Sequence, residues 1–436
     1  MTVASETSTV KRSLSAHAAI GLLAGALLYI VCLSGTLLVF YEEWQRVETG
    51  SPPQMTEIAP EAVQRGMEAM LAREAGKPPT THFYVDMPLA ELPTTRVITD
   101  TESYHLDAQG NLAGTEDIEW SNFLYGLHYT LNIPVAQGLV GITLVGILGM
   151  LMLALAISGL VAHPKIFRDA FRLRTRHSGG VALSDWHNRL SVWTLPFGIA
   201  IALTGAVIGL GTVAGYATAA LFYDGDIEAF YATIWGEEGE PDSTPAPLPN
   251  VAKALHYMDA NHPEARIVFV TVHEPGTAGQ HVQIVAEHPR RLIFGEYYAF
   301  DSAGNFHGTA GLADGALGQQ AAASNYRLHF GNFGGLPVKL LYFVFGLALT
   351  AVAVTGTYIW LGKRARRGVA EPKLRAAWNG VVWGTPVALA ATAAARAAIG
   401  HEAPFAAIFW LGLSLYVALS ILAALRKRPL AQRAVA

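Results

Sequence analysis

The chain has 436 residues, of which 52% are hydrophobic and only 15% are charged, and its formal net charge is -4. This composition lies outside the range of ordinary soluble domains and indicates a membrane protein, and the near-neutral charge offers no basic surface for nucleic acid. The single cysteine, Cys32, excludes an intramolecular disulfide and any Cys-x-x-Cys metal or redox motif.

Six apolar runs are long enough to cross a bilayer, which takes roughly 20 helical residues. The first follows two basic residues as a signal peptide would, but it stays apolar throughout and ends in FYEEW without a small-residue cleavage site, which indicates an anchored helix. We predict transmembrane helices at residues 14–41, 133–163, 188–216, 337–362, 376–395 and 403–425.

The segments between these helices differ in charge. Basic residues are concentrated in the short loop 164–187, in KRARR after the fourth run, and in RKR at 426–428; those of the loop are Lys165, Arg168, Arg172, Arg174 and Arg176. The long loops 42–132 and 217–336 are acidic. Because positive residues in short loops are retained in the cytoplasm, we predict a multi-pass protein of the bacterial inner membrane with both termini cytoplasmic and both long loops periplasmic.

The two long loops contain an internal repeat. YHLDAQGNLAGT at 104–115 matches YAFDSAGNFHGT at 298–309, and each segment has the pattern of a hairpin closed by an Asp-x-x-Gly-Asn turn. A helical stretch precedes each hairpin, so each loop is predicted to hold a small helix-plus-sheet module. Most of the histidines in these modules are expected to be solvated, although a few could meet an iron-bearing ligand; they are His82, His105, His256, His262, His273, His281, His288 and His307.

The membrane helices repeat as well. His17 precedes the glycine of LSGT by 18 residues and His187 precedes the glycine of ALTG by 18, which places these two histidines at matching depths. Likewise LHYTLNIP before the second helix resembles LHFGNFGGLP before the fourth, which sets His128 against His329. The chain is therefore predicted to be two copies of helix, outer module and helix, followed by an unmatched pair of helices.

The repeat brings the four histidines into two pairs. His17 and His187 are expected at the cytoplasmic side, and His128 and His329 at the outer side. Two imidazoles that approach one iron from opposite sides within a helical bundle make a bis-histidine haem site. Since Cys-x-x-Cys-His is absent, the haem would be of the non-covalent b type, and two haems are expected. The alternatives are interfacial or capping histidines, and a zinc site, for which no HExxH motif or comparable cluster is present.

Two further residues are candidates with a less certain role. His163 ends the second helix near the predicted depth of His17, and it could be a further haem ligand, a haem-edge residue or an interfacial histidine. Arg327 lies two residues before His329 and could pair with a haem propionate, since a guanidinium suits carboxylates. An ordinary interfacial anchor is the other interpretation of Arg327.

Several segments together resemble a known family. Over about residues 14–365, the chain is similar to the PepSY-associated transmembrane helix family of iron-regulated membrane proteins. The segments that carry this similarity are HAAIGLLAGALLYIVCLSGTLLVFYEEW, SGLVAHPKIFRDAFRLR, SDWHNRLSVWTLPFGIAIALTG and RLHFGNFGGLPVKLLYFVFGLALTAVAVTGTYIW. The resemblance implies a polytopic α-helical membrane protein whose four-helix haem-binding core is built from two repeats, with two periplasmic α+β PepSY-like modules. The last two helices lie outside the family pattern, and their role stays open.

The family includes inner-membrane ferric-siderophore reductases, so the resemblance implies a haem-dependent oxidoreductase for iron uptake. Electrons would pass from an unidentified cytoplasmic donor through b haems to a periplasmic ferric siderophore or other Fe(III) chelate, releasing Fe(II). No residue beyond the haem ligands would be catalytic. The alternative is a non-enzymatic scaffold or regulator that binds another envelope protein. A transporter is disfavoured because charged or broken helices at mid-membrane are absent.

Overall fold

The computed structural model describes residues 2–171, 180–236, 242–290 and 292–426. Five basic residues used for the predicted orientation lie outside these ranges: Arg172, Arg174, Arg176, Lys427 and Arg428. The chain divides into two compact units. The first, a helical unit, holds the chain up to Val39, residues Glu119–Gly211 and the chain from Gly335 onward, and the second, a sheet unit, holds Phe40–Ile118 and Thr212–Gly334.

The helices of the two units alternate along the chain. In chain order they are α1 (Thr2–Leu38), α2 (Tyr41–Glu48), α3 (Pro60–Arg73), α4 (Glu119–Tyr129), α5 (Leu139–Ala162), α6 (Ile166–Asp169), α7 (Val181–Trp193), α8 (Leu195–Phe222), α9 (Ile227–Trp235), α10 (Val251–Asn261), α11 (Leu317–Phe330), α12 (Gly335–Arg366), α13 (Pro372–Ile399) and α14 (Phe405–Arg426). A short 3-10 turn at Val135–Gly138 leads into α5.

Six helices of the described chain are long and apolar enough to cross a membrane: α1, α5, α8, α12, α13 and α14. The protein is therefore a polytopic membrane protein. The third of these differs from the sequence-based prediction, because the helix that begins at Val181 ends at Trp193 and α8 starts only at Leu195. Pro196 explains the break, since proline has no N–H with which to continue the hydrogen bonding of α7 but is tolerated in the first turn of α8.

Small residues allow the membrane helices to approach closely. A Cβ built on Gly209 of α8 would lie 2.6 Å from the Cα of Gly146 on α5, so the two backbones are in contact there. A Cβ on Gly346 of α12 would lie 2.5 Å from Oγ1 of Thr36 on α1. Without a hydrophobic driving force between helices in lipid, such close packing is what holds a bundle together.

The last two helices dock on the rest of the helical unit by hydrogen bonds from aromatic side chains. The Tyr29 hydroxyl donates to the carbonyl of Val382 on α13 at 2.8 Å, and the Trp410 indole of α14 donates to the Leu131 carbonyl at 3.1 Å. On α4, Phe123 packs against two phenylalanines of α14. These contacts make α13 and α14 an integral part of the helical unit.

The sheet unit contains one antiparallel sheet of eight strands in the order β4-β3-β2-β1-β5-β6-β7-β8. The strands are β1 (His82–Asp86), β2 (Thr95–Ile98), β3 (Ser103–Leu106), β4 (Leu112–Thr115), β5 (Ile267–His273), β6 (His281–Ala286), β7 (Glu296–Phe300) and β8 (Phe306–Thr309). The first four come from the first long loop and the last four from the second, so the predicted two modules form one domain.

The two copies meet where β1 pairs with β5, with Val85 opposite Val270. An unpaired edge strand leaves a row of N–H and C=O groups unsatisfied, and joining the copies edge to edge satisfies one such row in each. The helices α3 and α10 contribute to the same buried apolar cluster on one face of the sheet, for example through Met67 and Met258. One hydrophobic core therefore serves both copies.

Candidate functional site

Within the helical unit, His17 of α1 and His187 of α7 face each other. Their ring centres are 6.5 Å apart and their ring planes make an angle of 84°. The two histidines lie 170 residues apart in sequence, and the structure brings them together. Their equal spacing of 18 residues from a following glycine predicts the matching depths.

The backbone carbonyl of Leu155 on α5 determines which ring nitrogen of His17 carries the proton. Nδ1 of His17 lies 3.0 Å from the Leu155 carbonyl and 3.2 Å from Oγ of Ser158. Ser158 directs its own hydroxyl hydrogen to the same carbonyl at 3.2 Å. A carbonyl can only accept, so the proton of a neutral His17 lies on Nδ1, and Nε2 carries the lone pair that a metal needs.

The same arrangement recurs at His187, with α12 in place of α5. Nδ1 of His187 lies 2.9 Å from Oγ1 of Thr355, and this hydroxyl donates to the Ala351 carbonyl at 2.8 Å. Thr355 must therefore accept from Nδ1–H, which leaves the lone pair on Nε2. Thr355 lies on α12 as Ser158 lies on α5, so each ring has a hydroxyl partner on a neighbouring membrane helix.

A glycine follows each of these hydroxyl residues and gives the ring room. A Cβ on Gly159 would lie 3.3 Å from Cε1 of His17, and a Cβ on Gly356 would lie 3.5 Å from Cε1 of His187. The segments ISG at 157–159 and VTG at 354–356 thus build two similar histidine supports. Ser158 and Thr355 are site residues that sequence reasoning did not identify as such.

The pair has the spacing and the donor set of a bis-histidine metal centre. Two imidazoles on one metal have ring centres about 6.3 Å apart, given a metal–nitrogen bond of roughly 2.0 Å and about 1.15 Å from nitrogen to ring centre. The observed separation is 6.5 Å. Metal-ligating histidines donate their other N–H to a carbonyl or hydroxyl, as both rings do here. The residue types and the spacing of the pair therefore fit a b haem.

His128 also belongs to the helical unit and is seated against α1. Its Nδ1 lies 2.9 Å from the Val31 carbonyl, and a Cβ on Gly35 would lie only 2.5 Å from its Cε1. The glycine of the LSGT motif is therefore explained by the ring that rests on it. The carbonyl again places the proton on Nδ1.

His329 and Arg327 lie on the last turn of α11, in the sheet unit. His128 and His329 therefore belong to different units, and their partnership stays a prediction. The Arg327 guanidinium donates to Glu287 at 3.1 Å and to the Asn332 carbonyl at 2.6 Å. Most of its hydrogen-bonding capacity is thus directed at the protein itself.

His163 is the residue that caps α5. Its backbone N–H bonds to the Gly159 carbonyl at 3.2 Å, and its own carbonyl accepts from Ile166 at 2.9 Å, which turns the chain into α6. Among the described residues, no group of three or more histidine, cysteine, aspartate or glutamate side chains is placed to hold a metal ion.

Comparison with known proteins agrees with the architecture. The chain is 25% identical over 276 residues to an uncharacterised protein of Pseudomonas aeruginosa, a match that spans 58% of this chain and 66% of that protein, just under two thirds of its length. The family described as the PepSY-associated TM region matches residues 14–363, which include both histidine supports and the whole sheet unit. The chain therefore belongs to the PepSY-associated TM region family.

Proposed function

We propose that this protein carries electrons across the bacterial inner membrane, from a cytoplasmic donor to a periplasmic Fe(III) chelate such as a ferric siderophore. Both termini would lie in the cytoplasm and the sheet unit in the periplasm. His17 and His187 would hold one b haem, and His128 would be a ligand of a second. The observation that carries the proposal is the facing pair of His17 and His187, whose separation of 6.5 Å suits two ligands of one iron.

The protein's part in this function is to hold and orient the ligands. The supports on α5 and α12 orient both imidazoles, and in the neutral rings they place the proton on Nδ1 and the lone pair on Nε2. In a bilayer, the apolar helices and the lipid around the pair would keep water away and the local dielectric constant low. When bound, a b haem supplies a one-electron centre whose potential depends on its axial ligands and burial.

The substrate explains why a single electron is sufficient. An Fe(III) ion held by hard oxygen ligands takes up one electron and becomes Fe(II), which is less charged and softer, so the same ligands hold it less tightly. Iron then leaves the chelate. Only the bonds between iron and the chelator's oxygens break, and no covalent bond of the chelator is cleaved, so the reaction needs no acid, base or nucleophile from the protein.

A reconstituted system tests the proposal. The full-length protein is placed in liposomes that enclose dithionite, with Fe(III) citrate and the Fe(II) indicator ferrozine outside. We expect Fe(II) to appear outside at a rate that scales with haem content, and His17→Ala and His187→Ala to abolish it. His401→Ala is the matched control, because His401 lies in the exposed turn between α13 and α14.

The scaffold alternative gives the opposite result. A non-enzymatic regulator would be purified without haem, and its liposomes would reduce external Fe(III) no faster than protein-free liposomes. Equal rates for the wild type and His187→Ala would likewise contradict the proposal.

A further inference from the structure

The sheet unit contains a half-open cavity of about 350 Å³ beside β2 and β3, with charged side chains among its lining residues. It is lined by α2 and the chain that follows it, by the loop before β2, and by the sheet itself, all within the first copy of the repeat. Ligand pockets in proteins typically measure roughly 300–1,000 Å³, so this one suits a small molecule.

His105 of β3 lines this cavity and is only 4% exposed. The sequence suggested a solvated residue here, and burial of the side chain corrects that expectation. Within the described part of the chain, neither of its ring nitrogens has a hydrogen-bond partner. Oγ1 of Thr94 and Nε of Arg96, two other lining residues, are likewise buried without a partner among the described residues. Buried polar groups are nearly always hydrogen-bonded, so this concentration of unsatisfied atoms calls for a ligand.

His105 belongs to a row of polar side chains across three strands, here called the charged row: Asp86 of β1, Arg96 of β2 and His105 of β3. Arg96 is directly opposite Asp86 on one side and His105 on the other. Its guanidinium forms ion pairs with Asp86 and with Glu116. The row is therefore rigidly held, and it places the imidazole at the cavity wall.

The second copy of the repeat shows that the fold does not require the charged row. Because YHLDAQGNLAGT aligns with YAFDSAGNFHGT, the counterpart of His105 is Ala299. Ala299 is paired with Gln283 of β6, and Gln283 with Thr271 of β5, so the equivalent row is threonine, glutamine and alanine. The same sheet forms with uncharged residues at these positions. The charged row and its unsatisfied histidine therefore point to binding and not to folding.

The chemistry of the wall indicates the kind of ligand. Four charged side chains line the cavity, two acidic and two basic: Glu43, Glu116, Arg46 and Arg96. Their formal charges cancel, so the wall favours neither a simple anion nor a simple cation. Burial, and then the charge of Arg96, lower the pKa of His105 to about 4, so its ring is neutral and offers one N–H donor and one acceptor nitrogen.

A ligand that satisfies this wall must carry both an acceptor and a donor and have no net charge. A carboxylate would accept from the imidazole N–H and the Thr94 hydroxyl, and an ammonium group would donate to the other ring nitrogen and to an acidic side chain. We propose that this cavity binds a small zwitterion of the size of an amino acid or dipeptide, with His105 as its central hydrogen-bonding residue. The site is separate from the histidine pair of the helical unit, and it does not depend on the proposed electron transfer.

Calorimetric titration of the detergent-solubilised full-length protein tests this inference. The probes are the twenty L-amino acids, the dipeptide Ala-Ala, and two half-ligands, acetate and methylammonium. We expect saturable binding of at least one zwitterion, and loss of roughly tenfold or more in affinity for His105→Ala, as for removal of a buried hydrogen-bonding group. His105→Gln, which keeps a donor and an acceptor, is expected to retain part of the affinity.

Two controls keep the test decisive. Alanine already stands at the equivalent position of the second copy, so His105→Ala is compatible with the sheet, and its thermal unfolding can be compared with the wild type. His307→Ala removes an exposed histidine from β8 of the same sheet and should bind as the wild type does. Absence of saturable binding by every zwitterion, or equal affinity in His105→Ala, would overturn the proposal. Tighter binding of acetate or methylammonium than of any zwitterion would overturn the proposed ligand class.

Discussion

Replacing Thr355 by valine should weaken haem binding without disturbing the helix. Valine has nearly the same shape but lacks the hydroxyl that accepts the proton of His187 Nδ1 at 2.9 Å. Loss of such a partner typically costs 10- to 100-fold in metal affinity. Because only one of the two proposed ligands loses its partner, we expect the lower end of this range, about tenfold or roughly 1.4 kcal/mol.

The reduction potential gives a second measurement of the same contact. A hydrogen bond from Nδ1–H makes the imidazole a stronger electron donor and so stabilises Fe(III). Its loss should therefore raise the potential, a change that damaged packing alone would not predict. Transfer of haem to an excess of apomyoglobin measures the affinity, and a spectroelectrochemical titration measures the potential.

The same helix offers a matched control. Thr350 of α12 donates its hydroxyl to the Gly346 carbonyl within the helix, at 2.9 Å. Thr350→Val removes this hydroxyl from the same helix, and we expect haem affinity within about twofold of the wild type. If Thr355→Val matched Thr350→Val in both affinity and potential, the support assigned to Thr355 would be wrong.

Two further predictions concern stability. Gly35→Ala puts a Cβ 2.5 Å from Cε1 of His128 and should lower the free energy of unfolding by about 1–3 kcal/mol. Gly211→Ala is the control, because its Cβ would meet no described atom within 4 Å, and it should be neutral or slightly stabilising. Thermal unfolding in detergent measures both variants. Burial, and then the neighbouring histidines, lower the pKa of His273 to about 4, whereas its value in the unfolded chain is about 6.5. Between these pH values the unfolded chain binds more protons than the folded one. The free energy of unfolding should therefore fall by up to about 3 kcal/mol as the pH drops from 6.5 to 4. Denaturant titrations over this pH range should show a flatter dependence for His273→Phe; an equally steep one would contradict this assignment.

The pairing of His17 with His187 could be anticipated because it follows from local spacing. Each histidine precedes a glycine by 18 residues, and repeated sequence at equal spacing implies repeated structure. The break between α7 and α8 was missed, although Pro196 marks it, because apolar composition continues through the break. The family and the six membrane helices were predicted, and both are confirmed.

The features that sequence could not supply depend on long-range contacts. The pairing of β1 with β5 joins strands that lie about 185 residues apart, and two separate modules would have shown the same alternation of apolar residues. The hydroxyl of Ser158 has a visible repeat partner, but its role appears only when the ring of His17 lies beside it. In the same way, the sequence predicts that His105 is a solvated residue, and its burial is visible only in the structure, where α2 and the segment after it line the same cavity.

The most direct test of the proposed function is electron paramagnetic resonance of the purified, oxidised protein, combined with pyridine haemochrome quantitation. The 84° angle between the rings of His17 and His187 predicts a low-spin ferric haem with the highly anisotropic signal of perpendicular imidazole planes. His17→Ala and His187→Ala should each abolish this signal, and His401→Ala should preserve it. Protein that contains no haem, or a signal that is unchanged in His187→Ala, would contradict the account.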